Sequence, residues 1–153
     1  MKARDIMTPR PLAVIPTDPV WKAAEIMKYE DIGGVPVVDD RTSGRLVGVI
    51  TDRDITVRCV ARRHEPACLV GAHMTPHPLR TVRPDADVSE IVSQMEAAEV
   101  RRIPVVDEGG ILVGIVAERD LAMKLAASEA LPLRKRIRAA SKRAIATVDA
   151  AID

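Results

Sequence analysis

Phenylalanine is absent from this chain of 153 residues, and Trp21 and Tyr29 are its only aromatic side chains. The core must therefore be aliphatic, and any bound base would lie against Val, Ile and Pro instead of on stacking rings. An excess of charge is lacking too. With 23 basic and 22 acidic residues the net charge is +1, which excludes a general attraction to nucleic acid or anionic membrane. No apolar run approaches the roughly 20 residues that span a bilayer. The opening "MKARDIMTPR" has no signal-peptide apolar segment, so a cytoplasmic protein is expected. The two cysteines, Cys59 and Cys68, form neither a CxxC nor a wider framework. They are expected to be small reduced residues, with neither a disulfide nor a metal assigned to them.

What the chain does have is itself, twice. "MTP" occurs at Met7 and again at Met74, an offset of 74 − 7 = 67. "VPVVDD" from Val35 matches "IPVVDE" from Ile103, offset 103 − 35 = 68, and "GVITDRDI" from Gly48 matches "GIVAERDL" from Gly114, offset 114 − 48 = 66. The drift places an insertion before the second helix and a deletion in the following turn, and loops are where two copies of one fold tolerate length changes. The repeat covers about residues 1–62 and 68–127. It divides the chain into a first unit, 1–62, a linker, 63–72, a second unit, 73–127, and a basic tail, 128–153.

Each copy predicts the order βαββα. An extended stretch after "MTP" (12–15; 79–82) precedes a helix. Asp18 before Pro19 is expected to cap the first helix, and Asp87 with Glu90 has the spacing of a capping box. Val20, Ala24 and Met27, and then Val88, Ile91, Val92 and Met95, recur at helical spacing. "GVPVVD" and "RIPVVD" are strand-length apolar runs, each followed by a turn, a second strand (46–50; 112–116) and a last helix bearing Ile55 and Cys59, or Leu121 and Leu125. A unit of about 60 residues buries too little surface to be robust alone. Two copies are expected to share a core as a pseudo-twofold α/β (α+β) pair.

"TDRD", Thr51 to Asp54, puts a hydroxyl at the end of a strand and a carboxylate three residues later. Two uses fit this spacing. The pair can be a carboxylate variant of a capping box, worth about 1 kcal/mol. Alternatively, a carboxylate at a helix start beside a cleft can accept both hydroxyls of a ribose, while the Thr hydroxyl and the positive helix end face phosphate.

The paired "MTP", "(V/I)PVVD" and "G(V/I)(I/V)(T/A)xRD(I/L)" motifs, in order and twice over about 125 of the 153 residues, resemble tandem cystathionine-β-synthase (CBS) domains, the regulatory pair called a Bateman module. The resemblance implies clefts that bind adenosine-containing ligands, frequent dimerisation, and no catalysis by the pair itself. It implies that the T-x-x-D of one unit meets the segment after "MT" and the residues before the "xPVV" proline of the other. A first site would then hold Thr51, Arg53 and Asp54 with Thr75, Leu79, Val100, Arg101, Arg102 and Ile103. A second, weaker one would hold Arg119 and Asp120 with Thr8, Ile32, Gly33, Gly34 and Val35. The sites are unequal: Ala117 replaces Thr51, and two glycines stand where the first has Arg101 and Arg102. Guanidinium forks suit phosphate oxygens, so the first is expected to take a nucleotide, although a solvated helix end is the other reading of these arginines.

Other features are set aside. His73 and His77 have helical metal spacing, with Met74 and Cys68 nearby, but Pro76 between them argues against a helix. His64 lies in the polar "RRHEPAC" and reads as solvated. No metal site, cofactor or catalytic set is assigned. The tail carries six basic residues and no acid from Arg134 to Arg143. A partial apolar stripe there predicts an amphipathic helix that packs on the module or a dimer partner, with nucleic acid, membrane or an acidic partner as the other candidates. The expected protein is a homodimeric sensor of an adenine nucleotide or related adenosyl compound that signals to a separate effector. The rival is an interaction protein with vestigial clefts that docks a partner or nucleic acid through its basic helix.

Overall fold

The computed structural model describes residues 1–65, 67–76 and 79–124. The basic tail, Leu125 and His77 lie outside them. The described chain forms two compact units, each mixed α/β with a three-stranded sheet.

The first is built on the helix α2 (Val20–Glu30) and comprises Arg10–Leu79 with Asp107–Leu112. Its sheet has the order β2 (Gly34–Val38), β3 (Leu46–Thr51), β4 (Thr75–Pro76), all antiparallel, with Gly34 opposite Thr51 and Val49 opposite Thr75. The turn at 107–112 joins this unit through backbone bonds from the Leu46 amide to the Gly110 carbonyl (3.1 Å) and from the Leu112 amide to the Gly44 carbonyl (3.0 Å). The core is aliphatic, as the lack of aromatics requires: Val14, Val20, Ala23, Met27, Val35, Val37, Ile50, Cys59 and Val70 are buried together. The helix turns Ala23 inward, and Ala24, expected on this face, is exposed.

The second unit is built on α4 (Val88–Ala98) and takes in Met1–Pro9, Arg80–Val106 and the described residues from 113 on. A short helix, α1 (Ala3–Ile6), precedes β1 (Thr8–Pro9), and the sheet order is β1, β6 (Leu112–Ala117), β5 (Arg102–Val106). Ala3 and Ile6 are buried with Val82, Ile91, Met95, Ile103, Val105, Val116 and Leu121. Each Val, Ile, Leu or Met side chain among them contributes about 1.5–3 kcal/mol when it leaves water.

Repeats and compact units therefore do not coincide. The two-residue strand at each "MTP" pairs with the last strand of the other repeat: Thr8 lies opposite Ile115, and Thr75 opposite Val49. The stretches at 12–15 and 79–82, expected as full strands, make one parallel bridge each, Val14 to Val37 and Val82 to Val105. A packing requirement repeats as well. A Cβ on Gly48 would sit 2.8 Å from the Met74 sulfur and 2.8 Å from the Thr75 carbonyl oxygen, and a Cβ on Gly114 would overlap the Met7 sulfur. The "MTP" methionine and the strand glycine are thus one lock made twice.

Two expected caps are spent differently. Pro19, not Asp18, occupies the cap position of α2. Asp18 is buried, where it accepts from the Ile15 amide (3.0 Å), Lys22 (3.2 Å) and Arg41 (2.8 Å). Burial pushes its pKa up, but the Ile15 amide, Arg41 and Lys22 together outweigh that and hold it below the ordinary carboxylate value. Asp87 stands at the cap of α4 without a side-chain cap bond and pairs with Lys2 at 3.1 Å. Glu90 accepts from Gln94 (3.2 Å) and does not close a box.

Candidate ligand-binding site

At the end of β3 the Thr51 backbone is extended (φ −112°), which ends the strand and begins the short helix α3 (Asp52–Asp54). The capping box expected of "TDRD" is complete. The Asp54 amide donates to Thr51 Oγ1 and the Thr51 amide to Asp54 Oδ2, both at 3.0 Å. The second carboxylate oxygen, Oδ1, lies 3.7 Å from Arg58 Nη2. That is beyond hydrogen-bond length, so this oxygen keeps its acceptor capacity. After α3 the helix widens into a π-helical turn, Ile55–Val60, closed by a bond from the Ala61 amide to the Thr56 carbonyl (2.8 Å).

The second copy keeps half of this device. The Ala117 amide donates to Asp120 Oδ2 at 2.9 Å, and with no hydroxyl at 117 nothing reciprocates from the strand end. Asp120 is half-buried and Arg119 exposed at the start of α5 (Glu118–Lys124).

The segments before the two "xPVV" prolines are also built alike. Each follows a helix that ends on a left-handed non-glycine residue, Asp31 (φ 52°) or Glu99 (φ 54°). Such a residue reverses the chain sharply at a helix C-terminus. Each segment then bonds to its own unit's T-x-x-D turn: the Gly33 carbonyl accepts from the Asp52 amide (3.1 Å), and the Arg101 carbonyl from the Glu118 amide (2.9 Å).

Of the expected first set, Thr51, Arg53, Asp54, Thr75 and Leu79 belong to the α2 unit, and Val100, Arg101, Arg102 and Ile103 to the α4 unit. Of the second set, Ile32, Gly33, Gly34 and Val35 belong to the α2 unit, and Thr8, Arg119 and Asp120 to the α4 unit. Within one unit, then, the turn that carries Asp54 is bonded to the glycine segment through Asp52, and the turn that carries Asp120 to the arginine segment through Glu118. Val35 and Ile103 are fully buried and pack in their cores, whereas Arg53 and Arg101 are exposed.

One group escaped sequence reading. Cys59, Cys68 and His73 present ligand atoms that all lie within 4.8 Å of one another. The signal was density, not spacing: both cysteines and two of the three histidines fall within 59–73.

A strand-to-helix turn with a carboxylate near the helix start is thus made twice, once in each α/β unit. The CBS domain family model matches residues 3–60 and 70–127, and the chain belongs to that family as a CBS-domain pair. It is 36% identical over 123 residues to hypoxic response protein 1 of Mycobacterium tuberculosis, covering 80% of this chain and 84% of that one. A structure of that protein type, HRPI, with two coordinated zinc ions, matches with a TM-score of 0.72 at 35% identity over 80% of this chain and 98% of the other. CBSX2 in complex with AMP matches with a TM-score of 0.70 at 29% identity, covering 82% and 96% of the two chains. The CBS pair of MJ0100 with 5′-methylthioadenosine and S-adenosyl-L-methionine matches with a TM-score of 0.72 at 27% identity, covering 82% and 96%. Among the described residues no helix is long and apolar enough to cross a membrane.

Proposed function

We propose that this chain is a regulatory, non-catalytic module that binds an adenine nucleotide or other adenosyl compound and passes the binding event to a separate effector. A cytoplasmic homodimer is the proposed working form. The observation that carries this is the Thr51 and Asp54 turn. It holds one carboxylate oxygen fixed by backbone and leaves the other with acceptor capacity at a helix start, which suits the two hydroxyls of a ribose. Relatives with the same fold bind AMP, 5′-methylthioadenosine and S-adenosyl-L-methionine. Thr51, Arg53, Asp54, Thr75 and Leu79 are proposed to hold the nucleoside, with Val100, Ile103 and the Arg101 and Arg102 guanidinium groups toward its apolar and charged parts. Thr8, Ile32, Gly33, Gly34, Val35, Arg119 and Asp120 form the weaker second set. Ligand shifts the balance of conformations only by its differential affinity for them.

A second allocation of the arginines is favoured by the bond from the Glu118 amide to the Arg101 carbonyl. In that allocation Arg101 and Arg102 serve the site of Asp120, two residues beyond Glu118, and the phosphate-bearing ligand belongs with that carboxylate. A thermal-shift panel of AMP, ADP, ATP, adenosine and S-adenosylmethionine tests both. At 100 times its dissociation constant a true ligand adds about 2.7 kcal/mol. If R102A removes the same response as D54A, the first allocation holds; if its loss tracks D120A, the second does. No response to any of the five compounds would refute the function.

A further inference from the structure

The π-helical turn carries Cys59 one residue before its end, and the chain then folds back toward it. The His64 amide bonds to the Cys59 carbonyl (3.0 Å), the Cys68 amide to the Glu65 carbonyl (2.9 Å), and the His73 amide to the Val70 carbonyl (3.0 Å). Arg58 donates to the His73 and Met74 carbonyls, both at 3.1 Å, and fixes the far end of the loop. These backbone bonds converge four side chains. Cys59 Sγ lies 3.2 Å from Cys68 Sγ, and His64 Nδ1 lies 3.5 Å from His73 Nε2. Cys59 and His73 are buried, Cys68 is half-buried, and His64 is exposed on the solvent side.

We propose that Cys59, His64, Cys68 and His73 form a zinc site that staples the turn after α3 to the loop leading into β4. The donors are ordered Cys-x4-His-x3-Cys-x4-His, two soft thiols and two imidazoles, which is a set that closes a tetrahedral structural Zn(II) site. In such a site, metal bonds of about 2.0–2.3 Å place sulfurs about 3.8 Å apart and nitrogens about 3.3 Å apart. The observed 3.2 and 3.5 Å lie within a side-chain adjustment of those edges. Cys59, Cys68 and His73 already have ligand atoms within 4.8 Å of one another, and exposed His64, beside His73, would swing in from solvent as the fourth ligand.

The charges also fit. Zn(II) displaces both thiol protons to solvent, and two thiolates with two neutral imidazoles make a neutral site, tolerable where half the donors are buried. Burial, aided by the nearby charges of His64, Arg62 and Arg58, holds the His73 pKa below its ordinary value, so its ring is a ready neutral ligand. Burial first, and the contact with Cys59 second, push the Cys68 thiol up to about 11. Without metal Cys68 therefore stays a thiol.

The test uses the full chain, reduced and stripped with chelator, then titrated with Co(II) and afterwards with Zn(II) against a chromophoric chelator. One metal per chain is expected, with the thiolate charge-transfer band and the ligand-field bands of tetrahedral cobalt, both quenched by zinc. C68S should abolish the charge-transfer intensity of one thiolate. H64A, at an exposed position that leaves the core intact, should weaken zinc binding by at least the ~10-fold typical of even outer-shell changes. Octahedral cobalt spectra, binding unaffected by C68S, or full affinity in H64A would each overturn the site. So would a stable 59–68 disulfide under mild reduction, seen as a two-proton mass deficit.

Discussion

Thr51 and Asp54 serve the fold and, as proposed, the ligand, and alanine substitutions separate the two roles. T51A removes the hydroxyl that takes the Asp54 amide at 3.0 Å. A lost cap of this type costs about 1 kcal/mol. D54A removes the reciprocal bond to the Thr51 amide, a negative charge in the first helical turn, worth about 0.3–1 kcal/mol, and the 3.7 Å pair with Arg58, worth about 0.3–0.5 kcal/mol. About 1–2 kcal/mol is expected in total. For a chain of this length each kcal/mol moves Tm by about 2–4 °C, so T51A should melt about 2–4 °C early and D54A about 2–8 °C early without ligand. With the responding nucleotide at 100 times its dissociation constant for the native chain, that chain should gain about 5–11 °C, from about 2.7 kcal/mol, and T51A, which loses one proposed ligand contact but keeps the carboxylate, should gain less. D54A should gain almost nothing. Differential scanning fluorimetry with and without nucleotide reads all four quantities. If D54A keeps the full ligand-induced gain, its carboxylate is only a cap and the ribose assignment is lost. If T51A costs nothing, the capping arithmetic is wrong.

The second copy offers the reverse experiment: A117T supplies the missing hydroxyl above Asp120 and should stabilise by up to about 1 kcal/mol in urea unfolding, a destabilisation counting against the equivalence of the two turns. G48A forces a Cβ to 2.8 Å from the Thr75 carbonyl, and overpacking of this kind costs about 1–3 kcal/mol; an unchanged midpoint would show that β4 gives way freely. D18N should cost about 1–3 kcal/mol, because the buried acceptor of Arg41, Lys22 and the Ile15 amide loses its charge. Since the folded pKa of Asp18 is depressed, its contribution is complete above the unfolded pKa of about 3.9 and fades as pH falls through the lower folded value. The native chain and D18N should therefore converge in stability toward pH 2, and a gap constant with pH would contradict this. K2A breaks a pair whose side chains are 39% and 62% exposed, and should change the midpoint by less than about 1 kcal/mol.

The duplication, the aliphatic core, both long helices and both hairpins were legible in the sequence because each is a local periodicity written twice. The Thr51 and Asp54 box was legible for the same reason: its two partners are three residues apart. What the sequence could not show was non-local. Asp18 looks like a helix cap until Arg41, 23 residues away, claims its carboxylate. The "MTP" strands look like the start of their own repeats until the pairing of Thr8 with Ile115 reveals which edge they serve. The CBS resemblance assigns Arg101 and Arg102 to the site of Asp54, whereas the bond from the Glu118 amide to the Arg101 carbonyl, which ties them to the turn of their own unit, is not written in any local pattern. The cysteine and histidine cluster is not legible because a π-helical turn, a feature with no propensity signature, carries Cys59, and loop backbone bonds bring the other members back to it.

The exchanged terminal strands have a consequence for dissection. A fragment ending at residue 62 carries β1, which completes the other sheet, and lacks Val70 and β4, which complete its own. A fragment starting at 68 has lost Ala3 and Ile6 from its interior. Neither half alone is expected to fold, and co-expression of the two should restore both by complementation. Trimming the first nine residues should wound the sheet encoded about a hundred positions downstream and spare the one encoded next to the cut.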